Sequence, residues 1–249
     1  MDNILNRLGI QSYCFRGSTD NEAVIEQLKA CGLSAIELCA VHADFSDPSG
    51  FAAIIDTYTK HEVPVLSIGV ETITDDGAAM RPRFEFMRQS GAKVMSVDFP
   101  VEAAPACYRV GEQLAEEFDV RLGIHNHGGQ HWLGSRRMLR HVFSQTNDRI
   151  GLCLDTAWAL DSREDPVAMA DEFADRLYGV HIKDFIFDRA SQPEDVIVGT
   201  GNLDLPALLG TMRKNSFGGA VVLEYEGDVD DPVPALVECV AAVKGANPS

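Results

Sequence analysis

The chain has 249 residues with 45% hydrophobic content, enough for one large α/β barrel or two smaller domains. Its formal net charge is −17, which argues against nucleic acid or an anionic membrane as a partner, because both need a basic patch. None of the six cysteines (Cys14, Cys31, Cys39, Cys107, Cys153 and Cys239) forms a CxxC pair, so they read as reduced thiols rather than a zinc knuckle or disulfide framework.

Short apolar runs alternate with longer amphipathic ones. The sequence predicts strands over Leu8–Cys14, Ala35–Cys39, Pro64–Gly69, Lys93–Asp98, Val120–His125, Ile150–Asp155, Leu177–Lys183 and Ala220–Tyr225. Helices are predicted over Asn21–Cys31, Phe51–His61, Arg83–Ser90, Ala106–Phe118, Arg136–Gln145, Val167–Arg176, Leu205–Lys214 and Pro232–Val243. Asp20, Asp47-Pro48, Asp165-Pro166 and Asp231-Pro232 punctuate helix entries. Eight such units without a Pro/Gly/Ser-rich linker fit a single-domain (β/α)8 TIM barrel spanning residues 1–249. A doubly wound open sheet is weakened by the lack of a glycine-rich turn after the first strand, where Tyr13-Cys14-Phe15-Arg16-Gly17 stands. Met1-Asp2-Asn3-Ile4 lacks the basic and apolar regions of a signal peptide, and no apolar run is long enough to span a bilayer, so a cytoplasmic enzyme is expected.

Polar groups close four of the strand-like runs: His125-Asn126-His127, Asp155-Thr156, His181-Ile182-Lys183-Asp184 and Glu224-Tyr225-Glu226. Alternate strand residues face opposite sides. That parity groups Gly123, His125 and His127 against Leu122 and Ile124. It likewise groups Gly179, His181 and Lys183 against Val180 and Ile182, and Val222, Glu224 and Glu226 against Leu223 and Tyr225. The polar set therefore points inward at the C-terminal mouth, where barrel enzymes keep their sites.

These residues, in this order, resemble the sugar phosphate isomerase/epimerase superfamily of xylose isomerase-like barrels over essentially the whole chain. Val180-His181-Ile182-Lys183-Asp184 matches the seventh-strand signature, and Gly199-Thr200-Gly201-Asn202-Leu203-Asp204-Leu205-Pro206 is similar to the glycine-bearing loop that follows. The resemblance implies a divalent metal held by His125, Asp155, His181 and Glu224. It also implies a small-molecule carbohydrate substrate and, as is frequent in the family, a homo-oligomer. Two positions depart from the common pattern: His125 replaces the fifth-strand Glu, and Trp158 replaces the His of a DTxH motif. The His-x-His run, Asp165-Pro166 and Ala174-Asp175-Arg176-Leu177 are closest to inosose dehydratases and related keto-sugar lyases, with lyases on 3-keto-glycosides also similar.

The mixed nitrogen and oxygen set suits Mn²⁺, Co²⁺, Fe²⁺, Zn²⁺ or Mg²⁺, with the added imidazole favouring manganese or cobalt over magnesium. Such an ion would stabilise an enediolate formed when an α-proton leaves a keto-sugar. A lyase or dehydratase is the leading expectation. A sugar isomerase or epimerase using the same metal, and a sugar-binding barrel without turnover, are the alternatives. His127 is the first acid/base candidate, followed by Lys183, with an ammonium pKa lowered by the cation, and Glu226. Glu37, His42, Trp132, Trp158 and Arg16 are candidate substrate contacts, the tryptophans either stacking on a sugar or filling space. His61, His131 and His141 read as surface groups.

Overall fold

In a computed structural model, residues 7–246 are described; the Met1–Ile4 reading lies outside them. Eight parallel strands close a barrel: β1 (Leu8–Gln11), β2 (Ile36–Leu38), β3 (Val65–Thr72), β4 (Val94–Asp98), β5 (Arg121–His125), β6 (Ile150–Asp155), β7 (Leu177–Ile182) and β10 (Ala220–Leu223). Closure is made by β1 against β10, with Leu8 opposite Val221 and Ile10 opposite Leu223. Helices α1 (Asn21–Ala30), α2 (Phe51–Lys60), α3 (Gly77–Ser90), α4 (Ala106–Phe118), α5 (Arg136–Phe143), α6 (Thr156–Asp161), α7 (Pro166–Glu172), α8 (Leu205–Lys214) and α9 (Val233–Gly245) flank it. None among the described residues is long and apolar enough to cross a membrane.

Outward strand residues such as Ile10, Ile36, Leu122, Ile124, Val180 and Leu223 are fully buried under the helices. Burying each such aliphatic side chain contributes about 1.5–3 kcal/mol, so this layer supplies the main cohesion of the barrel. Helix starts follow local chemistry. Asp20, Asp76, Ser135, Asp165 and Asp204 each accept hydrogen bonds from first-turn backbone N–H groups.

Several boundaries differ from the sequence reading. The first strand stops at Gln11, whose side chain accepts from Tyr13 N and turns the chain into a 3-10 turn over Ser12–Phe15. Helix α3 begins six residues before Arg83, because Asp76 caps it and Met80 and Phe84 are buried; Pro82 is carried inside it. The predicted sixth helix, Val167–Arg176, is α7, started at Pro166 by the Asp165 cap and ended at Glu172 before a 3-10 turn over Ala174–Arg176, and an additional short helix, α6, capped by Asp155, precedes it. An antiparallel hairpin of β8 (Asp184–Phe187) and β9 (Pro193–Val196), absent from the sequence reading, follows β7 directly.

The inward layer beneath the mouth is made of small residues. Gly123 and Gly179 flank Cys153, and a Cβ at Gly179 would lie 2.8 Å from its sulfur. On the opposite wall β3 shifts register between Ile68 and Glu71. There Gly69 takes a φ of +140°, and a Cβ would meet Ser96 Oγ at 2.1 Å, so glycine is required for strand contact.

Candidate metal centre and active site

Adjacent strands set the first three groups. His125 ends β5, Asp155 ends β6 and His181 lies near the end of β7, with His125 opposite Cys153 and Asp155 opposite His181 in the ladders. Glu224 follows β10 immediately, its N–H bonded to Ile182 O at 3.1 Å. One donor atom from each of the four lies within 4.8 Å of all the others, and all four residues are buried. His125 Nε2 is 3.2 Å from His181 Nδ1, 3.6 Å from an Asp155 oxygen and 3.9 Å from Glu224 Oε2. His181 Nδ1 is 2.7 Å from Glu224 Oε2.

Asp155 and His181 are held from behind, whereas His125 Nδ1 is buried without a hydrogen-bond partner. Asn126 and Asp155 exchange two bonds, Asn126 Nδ2 donating to Asp155 O and Asp155 N donating to Asn126 Oδ1, both 2.9 Å. Asp155 Oδ1 accepts from Trp158 N at 2.8 Å, while Oδ2 is buried with no hydrogen-bond partner. Glu37 Oε1 lies 2.9 Å from His181 Nε2. Its carboxylate also accepts from Gln11 Nε2 at 2.6 Å, from Ser96 Oγ at 3.0 Å and from Ser67 Oγ.

Burial alone would raise the pKa of Glu37, but His181 and the two serine hydroxyls outweigh it and hold the carboxyl below its usual range. Burial likewise opposes charge on His125 and Glu224. The carboxylates Asp155 and Glu224 push His125 upward, and Lys183 with the two imidazoles holds Glu224 well below its usual range.

The set fits a divalent cation. Two carboxylates balance two positive charges, the orphaned Asp155 Oδ2 has nothing else to bind, and two imidazole nitrogens face each other at 3.2 Å. A carboxylate behind a ligating imidazole is the usual outer support of such a centre.

Above the four groups opens a cavity of about 400 Å3, with Gln11, Tyr13, Val70, His127, Trp158 and Glu226 in its wall. His127 is lowered to about 4, chiefly by burial and then by His125 and His131. Lys183 is fully buried, pairs closely with Glu226, and lies 3.6 Å from Asp195 and 3.9 Å from Glu224. Burial tends to lower its pKa, but Glu224, Asp155, Glu226 and Asp195 reverse this and raise it. The lowered ammonium expected from a neighbouring cation is therefore opposed by a cage of carboxylates.

The other expected substrate contacts divide. Trp158 lines the cavity. Trp132 instead donates its indole N–H to Phe99 O at 3.0 Å and packs on the core. Glu37 lies beneath the ligands, out of the cavity wall. His42 contacts Ser18 O at 2.8 Å and is buried. Arg16 donates to Tyr13 O and Glu226 O. Asp184 takes no part with Lys183; it accepts the backbone N–H groups of Gly199, Gly201 and Leu203 and so pins the glycine-bearing loop.

Sequence reading missed Gln11, Ser67, Ser96 and Asp195. The first is legible only through strand parity with Gly9, and the serines carry no signal of their own. Asp195 belongs to a hairpin without alternating hydrophobicity. It accepts from Glu226 N at 2.9 Å and is raised to about 7 by burial, against the pull of Lys183.

Residues 101–243 match the family described as xylose isomerase-like TIM barrel. A rhizopine catabolism protein, MocC, of Rhizobium meliloti is 30% identical over 139 residues, covering 50% of this chain and 42% of that protein. An inosose dehydratase of Lacticaseibacillus casei is 22% identical over 134 residues, covering 48% of this chain and 45% of the relative. The matched part thus spans less than half the length of either relative. The 3-keto-D-glucoside 4-epimerase of E. coli shares the fold with a TM-score of 0.73, at 17% identity, over 96% of this chain and 99% of that one. A family match over more than half of the sequence, together with the closed parallel barrel, makes this chain a member of the xylose isomerase-like TIM barrel family.

Proposed function

We propose that the protein is a divalent-metal-dependent lyase or dehydratase acting on an uncharged keto-sugar, inosose or 3-keto-glycoside. The observation that carries this reading is the pair His125 and His127, their rings 4.6 Å apart, at the strand end where the two-carboxylate epimerases keep a Glu. One carboxylate of that acid/base pair is missing, and an imidazole faces the cavity instead.

A bound divalent cation would supply electrostatic stabilisation of the negative charge that develops on a substrate oxygen as the α-proton leaves. The chain's own groups divide the proton work. His127, kept neutral by burial and its neighbouring imidazoles, accepts the α-proton. Glu226, which lines the cavity, serves the departing oxygen, and Lys183, buried against it and kept protonated by its carboxylate neighbours, backs it as the proton source. Trp158 and Tyr13 offer apolar faces to a sugar ring, and Gln11 offers a polar end.

Charge supports an uncharged substrate. Among the described residues named at the cavity, Lys183 is engaged with carboxylates and Arg16 with backbone carbonyls, which disfavours a phosphate. The matched inosose dehydratase supports the reaction class.

Glu226 favours one second reading. Its carboxylate lines the same cavity as His127, and a second acid/base group there could return a proton to the other face of the substrate, which is epimerisation. Incubating the metal-loaded protein with an inosose and with a 3-keto-glucoside in D2O tests both. Elimination yields an ultraviolet-absorbing enone or diketone. Deuterium incorporation with recovery of only epimers would reject the lyase.

A further inference from the structure

His131 is not the surface group that its sequence context suggests. The loop after β5 folds back onto the end of β4, fixed by the Trp132 bond to Phe99 O and by His131 N donating to Gly128 O at 3.2 Å. This brings His131 Nε2 to 3.5 Å from Asp98 Oδ1 and its ring centroid to 5.0 Å from that of His127. One donor atom from each of Asp98, His127 and His131 lies within 4.8 Å of the other two. Two atoms in this group, Asp98 Oδ1 and His127 Nδ1, are buried without a hydrogen-bond partner. Such atoms are costly unless something binds them.

We propose that Asp98, His127 and His131 form a second divalent-cation subsite on the β4–β5 flank of the cavity, separate from the four-residue centre. Two imidazoles and one carboxylate are a donor set for zinc or cobalt, and three protein ligands leave a coordination position open to water or a substrate oxygen. The net charge of −17 favours cation uptake.

The main opposing term is local. His131 Nδ1 accepts from Leu133 N at 3.3 Å, and coordination through Nε2 moves the ring proton to Nδ1, giving up that one long bond. Asp98 at 3.5 Å is itself too distant for a good hydrogen bond to His131, so little else is lost. Filling the subsite takes His127 out of proton transfer. Inhibition by excess metal therefore rests on the function proposed above, whereas binding does not.

Cobalt(II) is the probe. Metal-free protein is brought to equilibrium dialysis with Co²⁺, and bound cobalt is counted by elemental analysis and followed by its visible absorption. Wild-type protein is expected to bind two equivalents. Asp98→Asn and His131→Gln should each keep one, and Asp155→Asn should keep the other, with far-ultraviolet circular dichroism unchanged. A single equivalent in wild type overturns the subsite. So does a second equivalent that survives both Asp98→Asn and His131→Gln, or the loss of both equivalents in each of these variants. Two equivalents in wild type, with no elimination activity when only the four-residue centre is loaded (one equivalent, in His131→Gln), would leave the subsite standing and reject the lyase instead.

Discussion

Glu37 and His181 form the hinge of the candidate centre: Glu37 Oε1 is 2.9 Å from His181 Nε2, and Nδ1 of the same ring faces the other three donors. The negative charge beside Nε2 favours the proton there and leaves Nδ1 to bind, although the pair does not meet the angle of a hydrogen bond. Glu37→Gln keeps the shape and the serine contacts but removes the charge. It should weaken metal affinity about 10–100-fold with the fold intact. A competition titration with a chromophoric chelator measures it; unchanged affinity would assign Glu37 a packing role only.

Asp155→Asn separates ligation from capping. Asparagine is as good a helix cap as aspartate, so the bond from Trp158 N survives while the free oxygen's charge is lost. The variant should lose high-affinity metal at the four-residue centre. Ligand binding at 1,000 times Kd stabilises by about 4 kcal/mol, so saturating metal should raise the thermal midpoint of wild type clearly, and that of the variant by much less. An equal rise in both would show that Asp155 is not a ligand.

His127→Gln tests proton transfer. The loss of a positioned general base typically costs about 10²–10⁴ in rate. The variant should lose that much in α-proton exchange with deuterated solvent while still binding metal at the four-residue centre. Retained exchange would move the base to Glu226.

Asp195 gives a pH signature. Its carboxyl titrates at about 7 in the folded protein, chiefly because of burial, and near 4 when unfolded. Between those values the native state holds the proton that the unfolded state has lost, so stability is full at low pH and declines as pH rises through 7. Asp195→Asn keeps an acceptor for Glu226 N but cannot ionise. In metal-free protein the fall in thermal midpoint between pH 5 and pH 8 should therefore be smaller in the variant than in wild type. An identical fall would refute the assignment.

The barrel was legible because its strands obey two regularities at once. Bulky residues such as Leu122, Ile124, Val180 and Leu223 alternate with the groups that converge at the mouth, and apolar stretches of helical length separate them. The supports were not legible, because their role comes from register rather than residue type. Ser67 and Ser96 matter only because β2, β3 and β4 align them with Glu37. His131 looks solvated in sequence and is drawn in by the Trp132 bond, a contact between segments 33 residues apart. Asp195 owes its place to a short strand, Pro193–Val196, whose two exposed and two half-buried residues give no periodic signal.

Asp155 has a wider consequence through its two oxygens. Oδ1 holds the backbone of Trp158, whose side chain forms part of the cavity wall, while Oδ2 points at the other donors. Any substitution at this position other than Asn thus removes the proposed ligand and the Trp158 cap together, disturbing the metal centre and the cavity wall at once. Under the proposed function, selection for a new sugar spares residue 155 and acts on Tyr13, Val41 and Val70, which border the same space and are not among the four donor residues.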